Sequence, residues 1–281
     1  MAPVIVLLTQ DGYEHCYVAN RLASACPLSA IVVDKGRRQS GLQRLRHLRK
    51  KYTLGQLLLR GIGRLVSRVR GDEEQRRAEF FQVLGREDCE AHRHKELVTC
   101  VAGINSDHAF GVIGALKPDW LLVYGTSIVS DRILALASRG ALNMHTGISP
   151  YYRGADCYFW PLYNDELDML GATVHECTSQ VDGGAIYATG HARLEADDRL
   201  FSVFARCVKV GADLYVKTVQ DLIAGDLKGD RQQPGIGCEY RSVMKNWGHE
   251  WVVRRKIKQG LIRNYVRRRP AATREGEILA R

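Results

Sequence analysis

The apolar positions begin with two short continuous runs that a helical pattern separates. Residues 3–9 (PVIVLLT) and 28–34 (LSAIVVD) are rich in β-branched residues, which is typical of strands buried on both faces. Between them, Tyr17, Val18 and Leu22 recur on one face of a helix. Strand, helix and strand within about 30 residues form a βαβ unit and predict a parallel sheet.

The same alternation continues later in the chain and supplies the rest of the predicted fold. Strands are predicted at residues 98–104, 120–124, 141–144, 172–177 and 185–193. Helices are predicted at residues 107–116, 131–137, 158–163 and 199–224. We therefore predict an α/β domain over residues 1–225, with a Rossmann-like, mostly parallel sheet and helices on both faces.

Residues 36–97 interrupt this rhythm with a basic, amphipathic, helical insertion. Leucines recur at helical spacing, and residues 37–70 contain eleven Lys or Arg and no acidic residue. Gly55, Gly61 and Gly63 weaken a long free-standing helix, so we expect the insertion to cap the sheet or to pack in a dimer. Contact with a membrane surface is the alternative.

Residues 226–281 are predicted to form a short basic C-terminal appendage. Residues 251–281 hold ten Lys or Arg against two Glu, within a chain of formal net charge +10. Such segments attract phosphates, nucleic acid or an anionic membrane, although an ordinary solvated face has the same composition. Nucleic-acid or membrane contact and a homodimer therefore stay open.

Composition narrows the class of protein. The 281 residues contain no run of eighteen apolar residues, and the first residues do not resemble a signal peptide. The eight cysteines form no Cys-x-x-Cys pair, so we expect neither a zinc site nor a disulfide framework. The turn after the first strand has no Gly-x-Gly-x-x-Gly dinucleotide motif. A reduced, cytoplasmic enzyme is the expected class.

Polar side chains are concentrated between residues 142 and 186. Asn143 and His145 are two positions apart on a predicted strand, and Asp182 precedes two glycines in a loop. A histidine beside a carboxylate can accept a proton, and an amide can stabilise a developing oxyanion. No serine or cysteine lies in a nucleophile motif, so the set suits acyl transfer directly to an amine or to water. Taken singly, a histidine on a strand or an aspartate before Gly-Gly is more often structural.

In combination, these residues resemble those of the folate-dependent formyltransferase family. The motifs are Asn143-Met-His145, Pro150-Tyr-Tyr-Arg153-Gly154, Thr173-Val-His175 and Asp182-Gly-Gly184. Their order, and the separation of 37 positions between His145 and Asp182, are similar to the family's pattern.

The resemblance implies a formyltransferase that uses 10-formyltetrahydrofolate and no metal. It implies that Asn143, His145 and Asp182 are catalytic, and that His175 has a supporting role. The implied pterin-binding residues are Tyr124, Gly125, Thr126, Ser127, Ile128, Cys177, Thr178 and Ser179. The implied residues for the amine substrate are Tyr152, Arg153 and Gly154.

The amino-acid sequence of these motifs bears on the identity of the amine acceptor. Only Gln10-Asp11-Gly12-Tyr13 follows the first strand, where the purine-pathway branch of the family has a Gly-rich phosphate loop. The segment from Thr146 to Gly154 looks most like the sugar N-formyltransferases, whose substrates are nucleotide-linked amino sugars. The alternatives are a 10-formyltetrahydrofolate hydrolase and a non-catalytic, basic nucleic-acid- or membrane-binding protein on the same fold.

Overall fold

The computed structural model of this chain describes residues 2–36, 48–49, 52–178, 182–233, 235–268 and 278–279. We number the elements within these residues. The strands are β1 (Ile5–Gln10), β2 (Ala30–Asp34), β3 (Val98–Val101), β4 (Trp120–Val123), β5 (Gly140–His145), β6 (Tyr152–Gly154), β7 (Gly171–Glu176), β8 (Ile186–His191), β9 (Cys238–Tyr240) and β10 (Ile278–Leu279). The helices are α1 (Tyr13–Ala25), α2 (Leu54–Arg70), α3 (Asp72–Leu84), α4 (Arg86–Cys89), α5 (Asp107–Leu116), α6 (Asp131–Leu134), α7 (Trp160–Tyr163), α8 (Leu200–Ala224), α9 (Trp247–Lys258) and α10 (Leu261–Arg268).

The main sheet has the strand order β10-β8-β7-β5-β4-β1-β2-β3. Strands β3, β2, β1, β4 and β5 pair in parallel. Ile5 to Leu8 of β1 are fully buried, because helices cover both faces of this strand. The predicted α/β fold with a mostly parallel sheet is confirmed.

The strands on the other side of β5 run antiparallel. In the β5–β7 pair, Asn143 lies opposite His175, and His145 lies opposite Thr173. Strand β8 pairs antiparallel with β7. The apolar pattern predicted these strands but not their direction, which depends on how the connection between residues 146 and 170 folds back over the sheet edge.

Helix α8 packs on one face of the sheet, as its apolar stripe predicts. Its Tyr215 is fully buried, and the hydroxyl accepts a hydrogen bond from Val123 N (2.9 Å) and donates one to Leu142 O (2.8 Å). Helices α5 and α6 cover the opposite face through Ile113 and Ile133. The hydroxyl of Tyr215 therefore ties together the ends of β4 and β5, next to Asn143.

The insertion only partly behaves as predicted. Helix α3 packs into the core through Phe80 and Leu84. Helix α2 has no buried residue, and Leu58 and Leu65 are 67% and 64% exposed. The leucine stripe of α2 does not cap the sheet, and its packing in a dimer or on a membrane stays a prediction. Leu42 and Leu45 lie outside the described residues.

The C-terminal segment is built into the domain. Strand β9 pairs in parallel with β6, and Val253 of α9 and Ile262 of α10 are buried in a second apolar cluster with Phe159 and Trp160. The basic composition of the tail concealed these apolar positions. In the part of the chain that the structure describes, no helix combines the length and the apolarity that crossing a membrane requires.

Candidate active site

A cleft of about 570 Å³ opens at the carboxyl ends of β4 and β5. Ligands bind at this edge in open α/β sheets, because side chains of several strands converge there. The candidate catalytic side chains of Asn143, His145 and Asp182 all line the cleft, and so does His175. The structure therefore brings together residues that are up to 39 positions apart in the sequence.

Asp182 is at the centre of the arrangement. Its Oδ2 accepts a hydrogen bond from Gly154 N (2.7 Å) and lies 3.5 Å from Nδ1 of His145. Its Oδ1 lies 3.2 Å from Nε2 of His175. One buried carboxylate thus faces both histidines and orients them.

The electrostatics of this cluster keep Asp182 ionised. Burial by itself raises the pKa of the Asp182 carboxyl, but attraction to His145, the hydrogen bond with His175 and the Gly154 N–H outweigh it. The pKa of Asp182 is therefore held well below its ordinary value, and the group is a carboxylate at neutral pH.

The hydrogen bonds of His145 define the roles of its two ring nitrogens. Nε2 lies 3.0 Å from the backbone oxygen of Tyr152, and because a carbonyl can only accept, Nε2 carries the hydrogen. In a neutral ring, the lone pair is then on Nδ1, which faces Asp182. A proton taken up at Nδ1 would meet the carboxylate directly.

His175 is more central than the sequence suggests. Its Nδ1 donates to Glu176 O (2.8 Å), while Nε2 lies 3.1 Å from Nδ2 of Asn143. Since Nε2 also faces Asp182, His175 lies between the amide and the carboxylate of the candidate catalytic set. Its position opposite Asn143 follows from the antiparallel β5–β7 register, which the sequence did not reveal.

The loop that carries Asp182 is held by a residue that sequence reasoning missed. Asp182 has φ +46°, a left-handed conformation that costs energy for a side-chain-bearing residue. The side chain of Gln232 donates to Asp182 O (2.8 Å) and Gly184 O (2.6 Å), and so fixes this turn. No motif around Gln232 marks it, because its partner is 50 positions earlier in the chain.

Replacing Gln232 tests this positioning role. We expect Gln232→Ala to lower kcat/KM of the reaction at this site roughly tenfold, because two backbone carbonyls lose their donor and the Asp182 turn loosens. The adjacent, exposed Gln233→Ala is the matched control and keeps wild-type kinetics. Equal activity of the Gln232 and Gln233 variants in steady-state assays would contradict the role.

Seven of the eight residues proposed to contact the pterin line the cleft. These are Tyr124, Gly125, Thr126, Ser127, Ile128, Cys177 and Thr178. Ser179 lies outside the described residues. At Gly125 (φ +65°), an added Cβ would come within 2.3 Å of Cε1 of His15, so this loop requires glycine.

The residues proposed to contact the amine substrate separate in the structure. Gly154 lines the cleft, whereas Tyr152 and Arg153 are not among its lining residues. Tyr152 is buried and its hydroxyl bonds to Glu166, so it contributes its backbone oxygen to His145 instead. The opposite wall comes from residues 239–242 of the C-terminal segment, which sequence reasoning did not assign to the site.

The cysteines near the cleft do not act as thiolates. Burial raises the pKa of the Cys177 thiol to about 11 and that of Cys157 well above its ordinary value. Both thiols are therefore protonated at neutral pH and are poor nucleophiles. Among the described residues, no group of three or more His, Cys, Asp or Glu side chains could hold a metal ion.

Part of the chain matches a known protein family. Residues 102–219 match the model of the family described as Formyl transferase. The matched segment contains Asn143, His145, His175 and Asp182.

A curated relative agrees with this match over part of its length. The chain is 28% identical over 124 residues to the methionyl-tRNA formyltransferase of Chlorobium chlorochromatii (strain CaD3). The aligned region covers 44% of this chain and 39% of that protein, so the chain spans about two fifths of the relative's length.

Solved structures share the fold over most of the chain. A sugar N-formyltransferase from Shewanella sp FDAARGOS_354 has a TM-score of 0.53 at 13% identity, covering 85% of this chain and 77% of that chain. An N-formyltransferase from Helicobacter canadensis, in complex with folinic acid and dTDP-3-aminofucose, has a TM-score of 0.52 at 13% identity, covering 86% and 72%. At these identities the likeness shows the fold alone.

Proposed function

We propose that this chain, whose residues 102–219 match the Formyl transferase family model, is a folate-dependent N-formyltransferase. It moves the formyl group of 10-formyltetrahydrofolate to a primary amine. The observation that carries the proposal is the arrangement of Asn143, His145 and Asp182 around one cleft, with His175 between the amide and the carboxylate.

In the proposed reaction, the acceptor nitrogen attacks the formyl carbon and forms a new C–N bond. The formyl oxygen gains negative charge, and the Asn143 amide donates to it. Nδ1 of His145 takes the proton that the amine loses, and the resulting imidazolium faces Asp182. The bond from the formyl carbon to N10 of the folate then breaks, and N10 receives the proton that His145 took up, so tetrahydrofolate and the formamide leave and His145 is neutral again.

His145 is prepared for this role by its surroundings. Its Nε2–H is already bonded to Tyr152 O, so the ring cannot rotate freely and presents Nδ1 to the carboxylate. An added Cβ at Gly147 would come within 2.4 Å of Nε2, which shows how closely the backbone approaches the ring. Because the hydrogen-bond partners are in place before the reaction, little reorganisation accompanies proton transfer.

The acceptor that we propose is a nucleotide-linked amino sugar. A second cleft of about 600 Å³ shares Ser242 with the first, and its wall includes Arg60, Arg76 and Lys245. Lys245 donates to Asp156 (2.9 Å), and Arg76 pairs with Glu14, so these cations are anchored next to the cleft. Anchored cations next to an amine site suit an acceptor that carries phosphates. The bound dTDP-3-aminofucose of the Helicobacter canadensis enzyme supports the same class of acceptor.

A direct assay tests the proposal. The chain is incubated with 10-formyltetrahydrofolate and a panel of nucleotide-linked amino sugars, while tetrahydrofolate release is followed spectroscopically and the products by mass. We expect release that depends on one of these acceptors, together with a formylated product.

Other outcomes lead to the alternatives. Release that is independent of any acceptor would instead identify a 10-formyltetrahydrofolate hydrolase. Formylation of methionyl-tRNA, but of no amino sugar, would keep the reaction and overturn the acceptor. If no acceptor supports release and the chain binds RNA in a salt-sensitive manner, the proposed activity is wrong.

A further inference from the structure

Helix α2 presents an apolar stripe that faces away from the rest of the described chain. Leu54, Leu58, Leu65 and Val69 lie on one face at helical spacing, and they are 73%, 67%, 64% and 81% exposed. Ile62 continues the stripe and is 40% exposed. Large apolar side chains this exposed, and aligned over the 17 residues of one helix, mark an interaction surface.

The opposite face of α2 attaches the helix to the domain. An added Cβ at Gly63 would lie 3.3 Å from Cβ of Trp247, so α2 and α9 approach closely at this glycine. Arg70 at the end of the helix pairs with Asp72 and Glu250. Thr53 caps the beginning of α2 through a capping box with Gln56. The helix is therefore formed and anchored while its apolar stripe points outward.

The charge next to the stripe is positive. Arg64 and Arg68 are exposed on one side of the stripe, where they also line the second cleft, and no ion pair of either is seen within the described ranges. From residue 37 to residue 70 the sequence contains eleven Lys or Arg and no acidic residue. Such a combination of apolar face and unpaired basic border is the pattern of helices that lie in the surface of an anionic bilayer.

We propose that α2 docks this chain on an anionic membrane surface, with Leu54, Leu58, Leu65 and Val69 inserted among the lipid acyl chains and Arg64 and Arg68 at the phosphates. The helix is about 25 Å long, so it lies in the plane of the surface and does not cross the membrane. This inference is independent of the proposed enzymatic function.

A second copy of the chain fits this surface less well. Two copies that pair antiparallel through the stripe would bring their Arg64 and Arg68 borders together, and residues 52–70 offer no acidic side chain to compensate them. Anionic head groups compensate the same charges while the acyl region accepts the leucines. Charge complementarity thus favours the bilayer.

Vesicle binding by the full chain tests the proposal. In flotation assays with vesicles of phosphatidylcholine and phosphatidylglycerol in equal parts, we expect wild-type binding that salt weakens. The double variant Leu58→Ser/Leu65→Ser should bind roughly tenfold more weakly or worse, and Arg64→Glu/Arg68→Glu should lose a similar factor. The control is Ile223→Ser, an exposed residue of α8 outside the stripe, which should bind like the wild type.

Several results would overturn it. Circular dichroism first verifies that each variant is folded. If the wild type and the leucine variant bind vesicles equally, the apolar stripe does not contact the membrane. If the wild type binds pure phosphatidylcholine vesicles as well as the anionic ones, the anionic head groups are not recognised. A third outcome is that the wild type does not bind vesicles and forms a dimer in analytical ultracentrifugation, while Leu58→Ser/Leu65→Ser is monomeric. In that case the stripe binds a second copy. Binding to single-stranded RNA without vesicle binding would assign the basic residues to nucleic acid.

Discussion

His145→Ala is expected to lower kcat for formyl transfer by roughly two orders of magnitude or more. The variant removes the proton acceptor whose Nδ1 faces Asp182 and whose Nε2 is held by Tyr152 O. The attacking amine must then lose its proton to water, while the proposed folate-binding loop at residues 124–128 is unchanged. We therefore expect KM for the folate to change much less than kcat, as measured in steady-state assays with a saturating acceptor.

The control for this prediction is His108→Ala. His108 is an exposed residue of α5. Its replacement removes one imidazole from the chain and leaves the residues of the cleft unchanged. It should keep wild-type kcat. A folded His145→Ala enzyme with near wild-type turnover would remove His145 from the chemistry, whereas a rise in KM alone would reduce it to a binding residue.

The parallel half of the fold could be predicted from the sequence because it depends on local patterns. Runs such as residues 3–8 are apolar at every position, since helices cover both faces of the strand, and that composition is visible without any partner. Helix α5 has the bounds that the sequence predicts, residues 107–116, because Lys117-Pro118 ends the helical pattern.

The relations between distant segments could not be predicted in the same way. His175 faces Asn143 only because β7 runs antiparallel to β5, and Gln232 reaches the Asp182 loop from 50 positions away. Neither residue has a local signature. The residues of β9 that wall the cleft belong to a segment whose basic composition suggested a surface appendage.

Helix α2 illustrates a different limit of prediction from the sequence. Helical periodicity predicts that Leu58 and Leu65 share a face, but it does not tell what that face contacts. The same periodicity suits a helix that caps the sheet, packs in a dimer or lies on a membrane surface. Only the structure reveals that both leucines are exposed, and this exposure is the observation behind the proposed membrane contact.

Asp182→Asn is expected to lower kcat by a factor similar to that of His145→Ala, roughly two orders of magnitude or more. The substitution keeps the shape of the side chain but removes the charge that faces Nδ1 of His145 and Nε2 of His175. Because the pKa of Asp182 is held well below its ordinary value, the wild-type carboxylate is ionised throughout the working range. Titration of Asp182 itself should therefore not contribute to the pH–rate profile of the wild type between about pH 6 and about pH 9.

The same carboxylate should contribute to stability with a defined sign. A carboxyl group whose pKa is lower in the folded state stabilises the fold above its unfolded pKa of about 3.9, and this contribution disappears as the pH falls toward the folded value. Thermal unfolding should show a difference in Tm between wild type and Asp182→Asn at neutral pH that shrinks on acidification. Asp197→Asn, at an exposed position, is the control and should show no such trend. A difference in Tm that grows toward low pH would mean that Asp182 is protonated in the folded protein, and it could then not stabilise a charged His145.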